Sequence, residues 1–225
     1  MNFTKTARKI ICVGRNYAEH AKELNNPVPT TAPILFQKPT SSFLTQGAGF
    51  IEIPPACTNL HYELELGVVI GKGGRDIPEK AALSHIKGWF LGLDMTAREI
   101  QEEAKKKGHP WTISKGYDTF APVSDFIPFE KNTDPSNFSL VLKVNGVEKQ
   151  NGVTSDMIFS IPHLISYISS IFTLEEGDCI FTGTPKGVGP TVPSDVLEGT
   201  LSNTSTGEVL TKIKFEVSRR PTPSL

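Results

Sequence analysis

The sequence has few cysteines and no long apolar run. Only three of its 225 residues are cysteine, and Cys12, Cys57 and Cys179 are far apart in the chain. Neither a disulfide framework nor a zinc-binding cysteine cluster fits so few, scattered thiols. No apolar segment reaches the roughly 18 residues that a membrane-spanning helix needs, and no hydrophobic signal region opens the chain. We therefore expect a reducing compartment and no membrane partner.

The chain also lacks an excess of charge of either sign. Lys and Arg number 23 against 24 Asp and Glu, which gives a net charge of −1. The basic residues form no long stripe, so there is no electrostatic reason to expect a nucleic acid partner. The first nine residues, MNFTKTARK, are basic without acids, as in a remnant of a mitochondrial presequence. The sequence leaves cytosol and mitochondrial matrix open.

Short β-like runs dominate, which predicts a β-rich α+β fold. We expect a single domain over 1–225, with flexible tails at 1–8 and 218–225. The Asn145-Gly146 pair predicts a tight hairpin, because type I′ turns need positive φ at both central positions. The predicted strands are 9–13, 34–36, 49–53, 62–71, 88–94, a run ending at Val144, 147–150 and 209–217. The predicted helices are Tyr17–Leu24, Thr96–Lys107 with Gly108 ending it, and one that begins at Ser160.

Two acidic residues stand beside an apolar run in the segment HYELELGVVIG, His61 to Gly71. Side chains alternate along a strand, so Glu63 and Glu65 share a face. Two ionised carboxylates beside an apolar interior repel each other and lose hydration, so a divalent cation is one explanation. A strand whose first residues face water is the other.

A third acid ends the strand GWFLGLD. Asp94 lies where the chain turns into the predicted helix, and an ordinary helix cap would also explain a carboxylate there. Together with Glu63 and Glu65, however, it would complete an all-oxygen set that suits Mg²⁺ or Mn²⁺ better than zinc.

Other polar residues are candidates for chemistry. On a helix, His20 and Glu23 are three residues apart, so the carboxylate could orient the imidazole to activate water. An incidental pair on an exposed face is the alternative. The loop that follows contains Asn25, Asn26, Pro27 and Pro29 and has the composition of a lid.

Three further segments carry candidate binding residues. Lys115, in WTISKGYD, could bind a carboxylate or an enolate, although most lone lysines are solvated. Arg98 and Gln101 are one helical turn apart and could point to the same place. In GDCIFTGTPKGVGP, Thr184 and backbone N–H groups could face an anionic ligand oxygen, or the glycines could simply permit a turn.

In combination these segments resemble the fumarylacetoacetate hydrolase superfamily, in particular its small acylpyruvase branch. The motifs in order are VGRNYAEHAKE, HYELELGVVIG, GLDMTAREIQ, PWTISKGYDTFAPV, NGVTSDMIF and LEEGDCIFTGTPKGVG. The resemblance implies a mixed β-sandwich roll with a few peripheral helices, a homodimer and bound Mg²⁺, for which Mn²⁺ could substitute. It implies Glu63, Glu65 and Asp94 as metal ligands; His20, Glu23 and Lys115 as catalytic residues; and Arg98, Gln101 and Thr184 as substrate-binding residues.

The activity that the resemblance favours is acylpyruvate hydrolysis, the cleavage of a C–C bond in 2,4-dioxo acids to give pyruvate and a carboxylic acid. Oxaloacetate keto–enol tautomerisation or decarboxylation is the alternative, since the same site could stabilise the enolate common to all three reactions. A dioate isomerase or decarboxylase is a further enzyme alternative. Outside the enzymes, the metal could merely stabilise the fold of a non-catalytic protein.

Overall fold

Strands contain more residues than helices in the computed structural model, which describes residues 2–23, 28–131 and 133–221. This confirms the predicted β-rich α+β class, and the single-domain organisation stays a prediction. The helices are α1 (Phe3–Thr6), α2 (Ala18–Glu23), α3 (Arg98–Lys107), α4 (Thr112–Lys115) and α5 (Ile161–Ile171). The strands are β1 (Ile10–Gly14), β2 (Ile34–Lys38), β3 (Phe43–Thr45), β4 (Ile51–Ile53), β5 (Leu60–Tyr62), β6 (Leu64–Ile70), β7 (Ile86–Leu93), β8 (Thr96–Ala97), β9 (Ala121–Val123), β10 (Ile127–Pro128), β11 (Phe138–Val144), β12 (Val147–Val153), β13 (Cys179–Phe181), β14 (Gly189–Thr191), β15 (Val196–Asn203) and β16 (Val209–Arg219).

Two large sheets pack face to face. The first has the order β2-β1-β13-β6-β7-β9-β3, with β10 also paired to β7, and the second has the order β12-β11-β15-β16-β4. A small third sheet, β14-β5-β8, adjoins them. Strands β6 and β7 of the first sheet contact β11, β15 and β16 of the second. Because β6 is covered on both sides, all seven of its residues are buried, as its continuous apolar run predicts.

The local signals for turns and helix ends are largely confirmed. Asn145 and Gly146 have φ of 51° and 79° and join β11 to β12, as a type I′ turn requires. Gly108 ends α3 with φ of 67°, and the Ser160 side chain accepts a hydrogen bond from the backbone of His163 at the start of α5. In the predicted helix over Tyr17–Leu24, α2 runs from Ala18 to Glu23, and Leu24 lies outside the described residues.

Three expectations are corrected. Thr96 and Ala97 do not begin α3; they form β8 and pair with His61 and Leu60 of β5. The N-terminal tail is not free, because Phe3 is 2% exposed and its ring stacks on Phe90 with centroids 5.0 Å apart. At the other end, Ser218 and Arg219 extend β16 and pair with Glu52 and Ile53 of β4. Tertiary packing thus orders parts of both predicted tails.

No helix within the described ranges is long and apolar enough to cross a membrane.

Candidate metal centre and active site

The three acidic residues that the sequence singled out meet at one point. Glu65 lies in β6, Glu63 lies between β5 and β6, and Asp94 directly follows β7, the antiparallel neighbour of β6. The Asp94 backbone N–H donates to the Glu63 carbonyl at 2.8 Å, which holds the two segments together. One carboxylate oxygen from each residue lies within 4.8 Å of the others, and each of the three residues is 6% exposed or less. These residues form what we call the carboxylate triad.

Two of the triad's members are paired with buried cations. Lys115 Nζ donates to Glu63 Oε2 at 2.9 Å and to Asp94 Oδ2 at 2.5 Å. Arg98 donates to the other oxygen of Glu63 at 2.6 Å and to Gln101 Oε1 at 2.6 Å. Lys115 and Arg98 are therefore in contact with the triad, and Gln101 is fixed by Arg98; their expected roles toward a substrate stay predictions.

Glu65 differs from its two neighbours. Within the described residues no cationic side chain contacts it, and the backbone N–H of Gly183 donates to its Oε2 at 2.7 Å. Burial raises the pKa of Glu65 well above its ordinary value, and the nearby Asp94 and Glu63 carboxylates raise it further. For Glu63 burial also raises the pKa, but Lys115 and Arg98 outweigh it and hold the pKa well below its usual range.

A divalent metal ion fits this arrangement. The donor set consists only of carboxylate oxygens, which hard divalent cations prefer, and the oxygens are close enough to share one ion. The raised pKa of Glu65 also marks a buried carboxyl group whose ionised form lacks a neutralising cation. A divalent cation would supply that charge, so the triad is a candidate metal centre.

Sequence reasoning missed a third buried cation, Lys38. Its Nζ lies 2.7 Å from Asp94 Oδ1 and donates to the carbonyl oxygens of Met95 at 3.0 Å and Lys115 at 2.6 Å. The side chain is 2% exposed. Lys38 thus joins the segment after β7 to the end of α4, and so positions Asp94 and Lys115 relative to each other. The one local signal for it is a lysine at the end of β2, a strand whose first three residues are apolar.

His20 and Glu23 both lie on α2, but the expected hydrogen bond between them is absent. His20 Nδ1 and Glu23 Oε2 are 3.6 Å apart, and Nδ1 has no hydrogen-bond partner within the described residues. Burial lowers the pKa of His20, although the nearby Glu63 and Glu23 carboxylates partly offset this. The imidazole is 5% exposed. It is therefore neutral near pH 7 and able to accept a proton.

The glycine-rich turn after β13 binds carboxylates of the protein itself. Gly187 donates its N–H to both carboxylate oxygens of Glu23, at 3.1 and 3.0 Å, and Gly183 donates to one oxygen of Glu65. Gly187 has φ of +96°, and a Cβ there would lie 1.9 Å from the Lys149 carbonyl oxygen. Only glycine fits at this position, and its N–H holds the Glu23 carboxylate in place.

The Thr184 hydroxyl is largely used within the protein. It donates its hydrogen to the Leu64 carbonyl oxygen at 2.8 Å and accepts one from Gln150 Nε2 at 2.8 Å. Gln150 is fully buried and also accepts from the Leu64 N–H at 2.9 Å. The hydroxyl can therefore accept a further hydrogen bond but not donate one to an anionic ligand oxygen, which corrects the expectation from sequence. Gln150 carried no local signal.

One small cavity brings the candidate residues together. Its volume is about 30 Å³, room for about two water molecules. Of the expected lid, Asn25, Asn26 and Pro27 lie outside the described residues. The lining residues are Val13, Gly14, Arg15, His20, Phe36, Glu63, Glu65, Arg98, Gln101, Lys105, Trp111, Lys115 and Thr184. Asp94 and Glu23 reach this set through the contacts described above.

A strand-rich fold with a carboxylate triad, a neutral imidazole and a buried ammonium group at one cavity indicates a divalent-metal enzyme. The chain belongs to the fumarylacetoacetate hydrolase family, since the family described as fumarylacetoacetate (FAA) hydrolase C-terminal matches residues 9–214. This confirms the resemblance inferred from the six sequence motifs.

Three similar proteins narrow the class. A Dictyostelium discoideum protein, the mitochondrial oxaloacetate decarboxylase, is 57% identical over 87% of this chain and 89% of its own. The human mitochondrial oxaloacetate tautomerase FAHD1 is 52% identical over 87% of this chain and 88% of its own. A solved structure, fumarylpyruvate hydrolase from Pseudomonas aeruginosa with Mn²⁺ and pyruvate, is 35% identical with a TM-score of 0.85, covering 95% of this chain and 91% of the other.

Proposed function

We propose that the protein catalyses the keto–enol tautomerisation of oxaloacetate, with decarboxylation of the same substrate as a related outcome. The charge balance of the buried site is the observation that carries this proposal. Three carboxylates, Glu63, Glu65 and Asp94, face three cations, Lys38, Arg98 and Lys115, and every one of the six residues is at most 8% exposed. These charges sum to zero, so a divalent cation would leave a buried charge of +2.

A dianionic substrate would cancel that charge. Oxaloacetate carries two carboxylates, whereas a simple acylpyruvate such as acetylpyruvate carries one, so oxaloacetate leaves the smaller uncompensated charge in a low-dielectric site. The tautomerase and decarboxylase names of the two curated relatives support the same substrate. Of the two readings drawn from the sequence, the comparisons thus favour the alternative over acylpyruvate hydrolysis.

We propose Mg²⁺ as the ion at Glu63, Glu65 and Asp94, with Mn²⁺ able to substitute as the Pseudomonas relative's complex suggests. When bound, such an ion supplies Lewis-acid polarisation of a carbonyl oxygen. The other steps belong to side chains of this chain. We assign proton transfer at the substrate carbon to the neutral imidazole of His20, and hydrogen bonding to the developing enolate oxygen to the ammonium of Lys115.

The remaining residues position these groups. Glu23 lies beside His20 and is held by Gly187, so it would limit the orientation of the imidazole once a substrate closes the 3.6 Å gap. Arg98 and Gln101 form one hydrogen-bonded unit beside Glu63, and we assign both to substrate binding. Thr184 would accept a hydrogen bond from a substrate hydroxyl, such as that of an enol.

Acylpyruvate hydrolysis stays a second candidate because a histidine–carboxylate pair can activate water. Its support is the presence of His20 and Glu23 in one place and the name of the fumarylpyruvate hydrolase relative. The absent hydrogen bond between the two side chains counts against it. Tautomerisation needs a proton removed from one atom of the substrate and delivered to another, whereas hydrolysis also needs an activated water molecule.

Two further proposals concern the setting of the enzyme. The two curated relatives are mitochondrial proteins, which favours the mitochondrion over the cytosol among the compartments that the sequence left open. We retain a homodimer as a proposal from the family resemblance. Light scattering of the purified protein would test it, and a monomer mass would contradict it.

The test of function uses protein stripped with EDTA and then supplied with Mg²⁺. Enol absorbance of freshly dissolved oxaloacetate reports tautomerisation, pyruvate release reports decarboxylation, and acetylpyruvate tests hydrolysis. We expect Mg²⁺-dependent acceleration of the enol decay above the rate of pyruvate release, and a far smaller rate with acetylpyruvate. Faster acetylpyruvate cleavage than oxaloacetate tautomerisation would instead support the hydrolase. Loss of activity in His20→Asn with unchanged Mg²⁺ affinity would support the assigned role of His20.

A further inference from the structure

Gln150 is a buried polar residue that neither the sequence motifs nor the proposed mechanism uses. It lies in β12, an edge strand of the second sheet. Of the seven residues of β12, all within the described part of the chain, only Gln150 is buried, and it is 0% exposed. A buried amide costs free energy unless hydrogen bonds satisfy it, and an apolar side chain would avoid that cost. The glutamine therefore points to a requirement for its hydrogen bonds.

The Gln150 side chain closes a ring of three hydrogen bonds around the backbone of Leu64. The Leu64 N–H donates to Gln150 Oε1 at 2.9 Å, and Gln150 Nε2 donates to the Thr184 hydroxyl at 2.8 Å. That hydroxyl donates in turn to the Leu64 carbonyl oxygen at 2.8 Å. Gln150 Nε2 also donates to the Pro185 carbonyl oxygen at 2.9 Å, so both of its hydrogens are used. We call Gln150, Leu64 and Thr184 the Leu64 ring.

The ring takes the place of a missing strand beside β6. On one edge, the pairing of β6 with β7 continues to Leu64, but on the other edge β13 pairs only with residues 67–69. Successive backbone groups of a strand point to opposite edges, and the Glu63 carbonyl oxygen accepts from the β7 side, so the Leu64 groups face the edge beyond β13. Buried backbone groups need partners, and Gln150 and Thr184 supply them.

The backbone that the ring holds carries two of the three carboxylates of the triad. Leu64 lies between Glu63 and Glu65 in the chain. From the opposite edge, the Asp94 N–H donates to the Glu63 carbonyl oxygen at 2.8 Å. The segment that carries the two glutamates is therefore held from both edges of β6, which limits how far their carboxylates can move apart.

A second route connects Gln150 to Glu65 through the glycine-rich turn. Gln150 holds Thr184 and Pro185 of that turn, and the preceding residue, Gly183, donates its N–H to Glu65 Oε2 at 2.7 Å. Gln150 thus acts on Glu65 both along β6 and through the turn that binds its carboxylate.

We propose that Gln150 is a positioning residue for the metal centre, and that the Leu64 ring makes the carboxylate triad select Mg²⁺ over Ca²⁺. This rests on the proposed function, in which Mg²⁺ lies at the triad. Mg²⁺ demands near-octahedral geometry with oxygens at about 2.0–2.1 Å, whereas Ca²⁺ accepts irregular geometry at about 2.3–2.6 Å. Donors that are held rigidly favour the smaller ion, and donors that can move apart relax that preference.

The test measures the affinity of the EDTA-stripped, folded protein for Mg²⁺ and for Ca²⁺ by calorimetry, without substrate. Gln150→Met keeps most of the side-chain volume but removes all three hydrogen bonds of the amide. We expect it to weaken Mg²⁺ binding about 10- to 100-fold, as the loss of a group that orients a metal ligand typically does, and Ca²⁺ binding less than about 3-fold.

Variants of Thr184 open the same ring from its other side. Thr184→Val removes the hydroxyl and should shift the ratio of the two affinities in the same direction as Gln150→Met. The double variant should shift it little further, because the three hydrogen bonds act as one unit. Thr184→Ser retains the hydroxyl and should bind both ions as the wild type does.

Thr154→Val is the matched control. The Thr154 hydroxyl also serves both backbone groups of one strand residue, since it accepts from the Phe138 N–H at 3.0 Å and donates to the Phe138 carbonyl oxygen at 3.3 Å. Thr154 is 4% exposed and does not line the active-site cavity. Its substitution should lower the melting temperature but change neither ion's affinity. The same result in Gln150→Met would give Gln150 a purely structural role.

Equal weakening of both ions in Gln150→Met, or of neither, would overturn the proposal. If that variant did not fold, an unchanged affinity ratio in Thr184→Val would overturn it instead. A wild type that bound Mg²⁺ in this Gln150-dependent way without turning over oxaloacetate would contradict the proposed function alone. Turnover of oxaloacetate by a Gln150→Met variant with an unchanged preference for Mg²⁺ would contradict the role of Gln150 alone, and a wild type that bound neither ion would contradict both.

Discussion

Strands β1 and β13 run parallel side by side, and a cluster of charged residues lies at each end of the pair. At their amino ends, Lys9 lies 2.6 Å from Asp178 and 3.1 Å from Glu175, and Arg8 lies 2.7 Å from Glu175. Here each carboxylate has a cation in contact, so the cluster is complete without a ligand. We call it the amino-end cluster.

At the carboxyl ends of the same two strands lies the candidate active site. Arg15 follows β1, and Gly183 and Thr184 follow β13. Here the pairing is incomplete, because among the described residues no cation contacts Glu65 and no carboxylate contacts the Arg15 side chain. Ligands of sheet proteins commonly bind at the carboxyl ends of parallel strands. The comparison therefore teaches that incomplete pairing, more than the number of charges, distinguishes a site that binds ligands from ion pairs that hold the fold together.

The largest effect should come from substituting the two glutamates of the triad one at a time. Glu65→Gln and Glu63→Gln should each weaken Mg²⁺ binding by about 100-fold or more, since each removes one of the three carboxylates proposed to hold the ion. Their effects on metal-free stability should differ. Glu63→Gln leaves Lys115 and Arg98 short of a buried partner and should cost about 3–5 kcal/mol of unfolding free energy. Glu65→Gln replaces a carboxyl group that has no cation, so it should cost little or stabilise the protein.

The pH dependence of that difference has a definite sign. The pKa of Glu65 is raised on folding, so the folded protein is penalised once pH exceeds the ordinary value of 4.5. In EDTA, the melting temperature of Glu65→Gln relative to wild type should therefore increase as pH rises from about 5 to 8. Thermal melts in EDTA at several pH values would check it. If Glu65→Gln were as destabilising as Glu63→Gln, Glu65 would be a paired structural residue and the comparison would fail.

A smaller effect is expected from Lys38, which completes the pairing of Asp94. Lys38→Met keeps most of the side-chain volume but removes the donor to Asp94, Met95 and Lys115. We expect a loss of about 2–4 kcal/mol in unfolding free energy from the unpaired buried groups. We also expect kcat for oxaloacetate to fall more than KM rises, because Lys115 and Asp94 would no longer be held in place. Denaturant unfolding and steady-state kinetics would check both.

Lys9→Met is the matched control for Lys38→Met. It removes a lysine from the amino-end cluster and should leave kcat and KM unchanged. Equal kinetic effects of the two variants would mean that Lys38 acts only through global stability.

The features that could be predicted from the sequence are those that short-range geometry determines. Alternation and strand ends located Glu63, Glu65 and Asp94, and the turn and capping residues located the hairpin at Asn145 and the end of α3 at Gly108, because short-range geometry determines them. Thr96 was assigned to a helix because nothing local marks its pairing with His61 in a second strand.

The missed residues are those whose role depends on distant contacts. Lys38 bonds to carbonyl oxygens 57 and 77 residues away, and Gln150 bonds to Leu64 across 86 residues. No periodicity in the sequence predicts such long-range hydrogen bonds. The same applies to the Thr184 hydroxyl. Only its two hydrogen-bond partners in the structure show that it cannot donate to a ligand.

The smallest effects should come from the amino-end cluster itself. Lys9→Met should lower the unfolding free energy by about 1–2 kcal/mol, since it deprives the fully buried Asp178 side chain of its cation. Arg8→Met should lower it by about 0.5 kcal/mol or less, because the Arg8 side chain is 71% exposed and screened by solvent.

Folding raises the pKa of Lys9: burial opposes the rise, but hydrogen bonds to Asp178 and Glu175 outweigh it. The stability gap between wild type and Lys9→Met should therefore be fully present below pH 10.5 and shrink as pH rises through the raised pKa. Denaturant unfolding between pH 8 and about 11 would measure this gap. If a folded Lys9→Met variant lost oxaloacetate turnover, the amino-end cluster would contribute to activity. The contrast between the two ends of β1 and β13 would then no longer hold.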